Sequence, residues 1–162
     1  MKKIILTVVL ISYISTGITS GQSFDWNLRG GFNMMKSSSS EGGPVFLFHA
    51  GAQAGVRIAH FGFYGEALYS MNENQYTGDP LPYFIPAVIV KGFWRKALFV
   101  EFGGAYLSMI GESDVINDSL NPDGKLTMVA GLGVHFSKIE ISLRTNTLQS
   151  YTIIQATAAI KF

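Results

Sequence analysis

The feature that most limits what this chain can become is apolar–polar alternation with a period of two. It is plainest in the last twelve residues. Phe162, Ile160, Ala158, Ala156, Ile154 and Thr152 fall on one face, and Lys161, Ala159, Thr157, Gln155, Ile153 and Tyr151 on the other. A period of two with unlike faces specifies a β-strand. The sequence stops on an aromatic at the end of that strand, with no tail to cover an open sheet edge. Exposed edges invite pairing with other chains, and closing the sheet into a barrel removes them. The expectation is that this strand closes a barrel against the first one, with its apolar face in lipid.

The same pattern recurs along the chain. Phe24, Trp26, Leu28, Phe32 and Met34 alternate with Asp25, Asn27, Arg29 and Asn33. A second strand sets Phe46, Phe48, Ala50, Ala52, Ala54, Val56 and Ile58 against His49, Gln53 and Arg57, and a tight turn near His60 leads to the third. There Phe61, Phe63, Ala67, Tyr69 and Met71 oppose Tyr64, Glu66, Ser70 and Asn72. The fourth, about Leu81 to Trp94, alternates less clearly, and Pro86 in its middle removes a ladder hydrogen bond, which predicts a bulge or irregular pairing. Leu98, Val100, Phe102 and Tyr106 oppose Phe99, Glu101 and Ala105 in the fifth. In the sixth, Leu126, Met128, Ala130, Leu132, Val134 and Phe136 oppose Lys125, Thr127 and His135. The seventh sets Ile139, Ile141, Leu143 and Thr145 against Glu140, Ser142, Arg144 and Asn146. Eight strands of this length suit a tilted crossing of a bilayer.

Composition agrees. Only 14% of the residues are charged and the formal net charge is +1, against roughly 25% charged in an ordinary soluble domain. No basic excess points to nucleic acid. With no cysteine, neither disulfides nor thiolate metal sites are available. Met1-Lys-Lys followed by about eleven mostly apolar residues and then small ones reads as a secretory signal peptide over residues 1–21. Cleavage is expected after Gly21, with Ser20 as the alternative, leaving residues 22–162 as the barrel domain.

The connections alternate long and short, the rhythm of outer-membrane barrels with short periplasmic turns and longer outside loops. An even strand number puts both termini on the periplasmic side. Aromatics are expected in two girdles at the membrane interfaces: Trp26, Phe63, Phe93, Phe136 and Phe162 at the periplasmic end, and Tyr69, Tyr83 and Tyr106 at the outer end. Phe162 also reads as a C-terminal signal to the barrel-assembly machinery.

The inward set holds Asp25, Arg29, His49, Arg57, Glu66, Glu101, Lys125, Glu140, Arg144 and Lys161. An Arg or Lys turned to lipid costs roughly 2–4 kcal/mol at midplane, so these groups are expected to pair inside. An eight-stranded barrel is only wide enough to be filled by its own side chains. The network therefore reads as a polar plug rather than an ion path.

Catalytic and metal patterns give little. His135-Phe-Ser137 has the His-x-Ser spacing of outer-membrane lipid A deacylases, but it sits at a periplasmic turn, on the wrong leaflet, without the asparagine and glycine that usually follow. His49, His60 and His135 lack paired ligand spacing. Asp114, Asp118, Asn121 and Asp123 match no EF-hand spacing and read as a solvated acidic loop. No catalytic residue, cofactor or metal is assigned.

Five segments carry a further signal: Leu28-Arg-Gly-Gly-Phe-Asn33, Phe48-His-Ala-Gly-Ala-Gln-Ala-Gly55, Phe63-Tyr-Gly-Glu-Ala-Leu-Tyr-Ser70, Tyr83-Phe-Ile-Pro-Ala-Val88 and Val100-Glu-Phe-Gly-Gly-Ala-Tyr106. In these the chain resembles the PorT-like outer-membrane β-barrel proteins, which share their architecture with OmpA/OmpX-type eight-stranded barrels. The resemblance covers residues 22–162. The mid-strand Ile-Pro is the most specific of these. The family often carries an acid just before it; Phe84 stands there here, so the interior polar pattern is expected to differ locally. The resemblance implies a fold and a membrane, and no single activity.

The reading is an all-β, eight-stranded antiparallel up-and-down transmembrane barrel in the outer membrane. It is non-enzymatic and has a structural or interaction role, secretion-associated in some relatives. Its partners are outer-membrane lipid, the assembly machinery and an unidentified protein met at the loops Lys36–Pro44, Glu73–Pro80 and Gly111–Gly124. Two alternatives are a secreted soluble barrel holding an apolar ligand, and an outer-membrane lipid-modifying enzyme.

Overall fold

A computed structural model describes residues 22–37, 45–73, 80–94, 97–110, 125–147 and 151–162. The segment read as a signal peptide, the central parts of the three long connections and the acidic loop residues Asp114, Asp118, Asn121 and Asp123 lie outside them. So do the side chains of Lys125 and Tyr151. The described residues form eight strands: β1 Gln22–Ser37, β2 Val45–Ile58, β3 Phe61–Glu73, β4 Pro80–Trp94, β5 Leu98–Met109, β6 Lys125–Phe136, β7 Ile139–Thr147 and β8 Tyr151–Lys161. Each pairs antiparallel with the next and β8 pairs with β1, so the sheet is a closed barrel with the up-and-down order of the chain.

The register fixes the barrel's shape. From Asp25, paired residues run through Gly55, Tyr64, Ile89, Gly103, Val129, Asn146 and Ile153, and the circuit returns to β1 at Met35, ten residues further on. With eight strands that stagger tilts each strand by roughly 40° and gives a radius of about 8 Å. Because the displacement is even, an inward residue always meets an inward residue, so the period-two pattern of every strand closes on itself.

Pro86 shows its effect in β4. Pairing with β3 runs unbroken through Ala67↔Pro86. Pairing with β5 lapses between Phe84↔Ser108 and Ala87↔Ala105 and resumes in the same register. There is no bulge, since a bulge would shift the count. The Ile110 N–H donates to the Pro82 carbonyl at 2.9 Å, which places Pro86 and Tyr106 at a hydrogen-bonded position of the ladder. Pro86 has no N–H to give there, so the Tyr106 carbonyl receives no bond from β4.

Three short turns close one end. Ala59 and Ser137 adopt positive φ, 52° and 51°, which gives these tight hairpins a twist matching the strands. Each turn is also bonded to the next strand over: the Phe93 N–H donates to the His60 carbonyl, the His135 N–H to the Ala97 carbonyl and the Lys161 N–H to the Lys138 carbonyl, each at 2.7 Å.

The sheet is turned inside out relative to a soluble protein. Leu126 is 80% exposed and Val88 68%, and Leu28, Phe32, Val100, Phe102, Leu132, Ile141 and Leu143 also face outward. Buried instead are Asp25, Arg29, His49, Glu66, Lys91, Glu101 and Arg144. Apolar side chains do enter the lumen, as one sector. Leu68, Tyr83, Ile85, Ile89, Phe99, Leu107, Val129 and Ile153 pack together there, so the interior is not polar throughout.

Two assignments to the aromatic girdles are corrected by this placement. Tyr83 is 1% exposed and Phe93 7%, so both point into the lumen. In β4 the odd-numbered residues face in and the even-numbered ones out. Phe84 accordingly faces outward, and the interior polar pattern does not change at that position. Trp26, Phe63, Tyr69, Tyr106, Phe136 and Phe162 are outward and exposed.

Candidate functional site in the barrel lumen

Strand alternation delivers one inward side chain per two residues from every strand, and the stagger stacks them in layers. The middle layer is ionic. Arg144 on β7 reaches two carboxylates across the lumen. Its Nη1 donates to Glu66 Oε1 at 2.5 Å and Nη2 to Glu66 Oε2 at 3.1 Å. Its Nε donates to Glu101 Oε1 at 3.1 Å and Nη2 also to Glu101 Oε2 at 3.2 Å. Each carboxylate thus receives two bonds from one planar guanidinium, the geometry that favours Arg over Lys.

Glu66 is shared. Arg29 donates to its Oε2, as does Gln53 Nε2 at 2.9 Å. Arg29 also donates to Ser142 Oγ at 3.1 Å and approaches Glu140 at 3.5 Å. Lys91 pairs with Glu140 and lies 5.0 Å from the Tyr64 ring centre and 4.8 Å from that of Phe99. Three cations, Arg29, Lys91 and Arg144, therefore face three carboxylates, Glu66, Glu101 and Glu140. Charges this deeply buried persist only when paired and hydrogen-bonded.

Towards the long connections the network becomes neutral. His49 Nδ1 donates to Asn33 Oδ1 at 2.8 Å, and Thr157 Oγ1 lies 3.0 Å from His49 Nε2. Because Asn33 Oδ1 can only accept, Nδ1 carries the proton and Nε2 accepts from the threonine. Gln155 Nε2 donates to the same oxygen at 2.9 Å, Asn33 Nδ2 donates to Ser70 Oγ at 2.5 Å, and Asn146 Nδ2 donates to Gln155 Oε1 at 3.2 Å.

At the short-turn end the lumen meets solvent. Lys161 Nζ pairs with Asp25 Oδ1 at 2.8 Å, and the Tyr64 hydroxyl donates to Asp25 Oδ2 at 3.3 Å. Arg57 lies over the Phe93 ring, 3.9 Å from its centre, and His135 meets the same ring edge-on at 5.4 Å. Phe93 is thus an internal platform for two basic side chains. A small cavity of about 20 Å³ lies between Asp25, Asn27, Arg57, Tyr64, His135 and Glu140, enough for about one water. Asn27 Oδ1 and His135 Nε2, both on its lining, have no protein partner.

Of the interior residues expected from sequence, Asp25, Arg29, His49, Glu66, Glu101 and Arg144 are buried in the lumen, with Glu140 close behind. Arg57 and Lys161 sit at its short-turn mouth. Sequence reasoning passed over Lys91, which is fully buried. A lysine in a strand with an outward apolar face has to point inward. That one charge sets the parity of β4 and would have turned Tyr83 and Phe93 inward with it. Also unweighed was the amide and hydroxyl layer of Asn33, Gln53, Ser70, Asn146, Gln155 and Thr157. Among the described residues no group of three His, Cys, Asp or Glu side chains is placed to hold a metal.

Neither the protein-family models nor the curated proteins include a match to this chain. Similar solved structures are small outer-membrane proteins. Neisserial surface protein A is 14% identical, covering 88% of this chain and 98% of its own, with a TM-score of 0.47. Ail, the attachment invasion locus protein of Yersinia pestis, solved with the heparin analogue sucrose octasulfate, is 12% identical over 89% of this chain and 100% of its own, with a TM-score of 0.47. The same protein in a phospholipid bilayer nanodisc is 11% identical over 86% and 100%, with a TM-score of 0.48. At this distance nothing about ligands or partners passes from them to this chain.

Proposed function

We propose that this chain is an integral outer-membrane β-barrel, non-enzymatic, whose lumen is a structural plug and whose contacts with other molecules are made by its long connections. One observation carries the reading: apolar side chains cover the outside of the closed barrel while its ion pairs are inside. In water that arrangement leaves a large apolar surface exposed; in a bilayer it satisfies both faces. The crowded lumen supports a plug, since bidentate ion pairs and hydrogen bonds of the Asn and Gln side chains cross it from strand to strand.

Loops on a rigid scaffold are where recognition commonly lies, which favours a structural, adhesive or complex-forming role. The PorT-like motifs support a place among barrels of that kind, secretion-associated members included. Phe162 and the outward face of β8 would serve as the signal read by the barrel-assembly machinery, after export directed by residues 1–21. The Trp26, Phe63, Phe136 and Phe162 side chains would form one interfacial girdle and Tyr69 and Tyr106 the other. A soluble barrel holding an apolar ligand is disfavoured by the charges that occupy the lumen.

The test is gel migration of the outer-membrane fraction with and without boiling in detergent. A heat-shifted band in that fraction supports the reading. Recovery from the soluble periplasm with no shift overturns it.

A further inference from the structure

The outward face of the barrel is not convex everywhere. Around the seam of β8 and β1 it is hollowed into an open groove of about 530 Å³. Gly30, Ala156 and Ala158 form its floor, and Phe32, Phe48 and Ile141 stand around it. The register explains the hollow. Gly30 pairs with Ala158 and Phe32 with Ala156, so small residues of β1 and β8 lie together. Beyond them Ile141 of β7 pairs with Ala158, and Phe48 of β2 pairs with Phe32. All three wall residues are exposed, and the Phe48 ring is steadied by Tyr69, 6.5 Å away between ring centres.

Chemistry and width decide what fits. The β1–β2 and β1–β8 ladders run unbroken across the floor, so its backbone groups are already bonded, and the walls are hydrocarbon. An occupant gains by dispersion and apolar burial alone, which favours an alkyl chain over a saccharide or an extended peptide. A helix with its side chains is about 10–12 Å across, whereas the floor is two strands wide at a spacing of about 4.8 Å. A helix would rest on the walls and leave the floor bare. Gly30 lies four residues beyond Trp26 on β1, about 13 Å along the strand. That depth is within one leaflet of a hydrocarbon core about 30 Å thick, in reach of a phospholipid whose headgroup lies level with Trp26.

We propose that this groove is a binding site for one acyl chain of a phospholipid in the leaflet on the short-turn side. The inference rests on the membrane reading above and adds a fixed lipid position to it. Elsewhere the barrel meets lipid on a convex surface that touches a chain along one side. The groove touches it along the floor and both walls, and each added contact contributes dispersion energy.

The full chain without residues 1–21 is refolded into phosphatidylcholine vesicles doped with a phosphatidylcholine that carries a diazirine on one acyl chain. After irradiation the adducts are mapped by proteolysis and mass spectrometry. Labelling of Phe32, Phe48 and Ile141 is expected to exceed that of Phe102 and Leu132, which are outward and exposed elsewhere on the barrel, by roughly threefold or more, the equivalent of about one further buried methylene. The groove can be filled without moving the wall, because a Cβ on Gly30 would meet nothing nearer than the His49 carbonyl oxygen at 3.7 Å. The variant Gly30→Leu/Ala158→Leu is expected to bring groove labelling down to the level of Phe102 while keeping the heat-shifted band. Ala158→Leu alone, which leaves β1 untouched, is expected to lower it part of the way. Even labelling around the outward face of the unaltered chain, or an excess that the filled variants keep, overturns the site and leaves the barrel in the membrane. A dimer in sedimentation that filling abolishes assigns the groove to a second copy and overturns the lipid. Absence of adducts from every outward residue removes the membrane reading, and the site with it.

Discussion

Trp26 and Phe162 stack across the seam where the first and last strands meet. Their ring centres are 4.4 Å apart and their planes 15° from parallel. The Phe162 N–H donates to the Trp26 carbonyl at 3.0 Å, so the final residue is held to β1 by backbone and side chain together. Stacked aromatic pairs contribute about 0.5–1.5 kcal/mol beyond their burial. A double-mutant cycle of Trp26→Ala and Phe162→Ala, read as unfolding free energy in vesicles, is expected to give a coupling of that size. Additive effects would mean that the two rings do not support each other.

Glu66 is the acid on which the middle layer converges. Replacing it with Gln keeps the shape and leaves Arg29 and Arg144 short of one negative charge. Breaking a buried pair from one side costs about 3–5 kcal/mol. Glu66→Gln is therefore expected to lower the urea midpoint of the refolded barrel more than Glu140→Gln, whose carboxylate is partly open to solvent. Equal effects would contradict the central place given to Glu66.

Pro86 withholds a donor from the Tyr106 carbonyl, so Pro86→Ala offers the ladder one more bond. A net gain of about 0.5–1.5 kcal/mol is expected, with the amide introduced by the substitution protected from hydrogen exchange. Rapid exchange of that amide would show that β4 and β5 remain apart there for another reason.

Inward and outward glycines are expected to answer differently to the same change. A Cβ on Gly131 would lie 2.7 Å from the Arg144 Cβ and 2.9 Å from the Leu143 carbonyl oxygen, whereas on outward Gly104 its nearest neighbour is the Thr127 carbonyl oxygen at 3.9 Å. Gly131→Ala should destabilise the barrel by about 1–3 kcal/mol, and Gly104→Ala should be close to neutral. A reversed order in a thermal or urea titration would contradict the assignment of faces.

Strand number, face assignment and barrel closure were legible because lipid on one side and a crowded lumen on the other force a strict period of two. That signal failed only in β4. Apolar residues on both of its faces (Tyr83, Ile85 and Ile89 inside, Phe84, Val88 and Val90 outside) erase the contrast, and Lys91 alone carries the parity. The partners in the lumen were not legible. The meeting of Arg144 with Glu66 depends on the stagger accumulated across the strands between them, and no local pattern encodes that sum. Phe93 as a platform for Arg57 and His135 escaped for the same reason, since three strands contribute to it.

The central claim is that the apolar outer face contacts lipid and the charged inner face does not. The absence of cysteine allows single nitroxide labels to be placed at Val100, Leu132 and Ile141, all outward, and at Ser142, which faces in. Their relaxation would be measured in vesicles with oxygen, which concentrates in the bilayer, and with a water-soluble nickel chelate. The account predicts high oxygen and low nickel accessibility at the three outward positions, and low accessibility to both at Ser142. High nickel accessibility at Val100, Leu132 and Ile141 would place that face in water and contradict it.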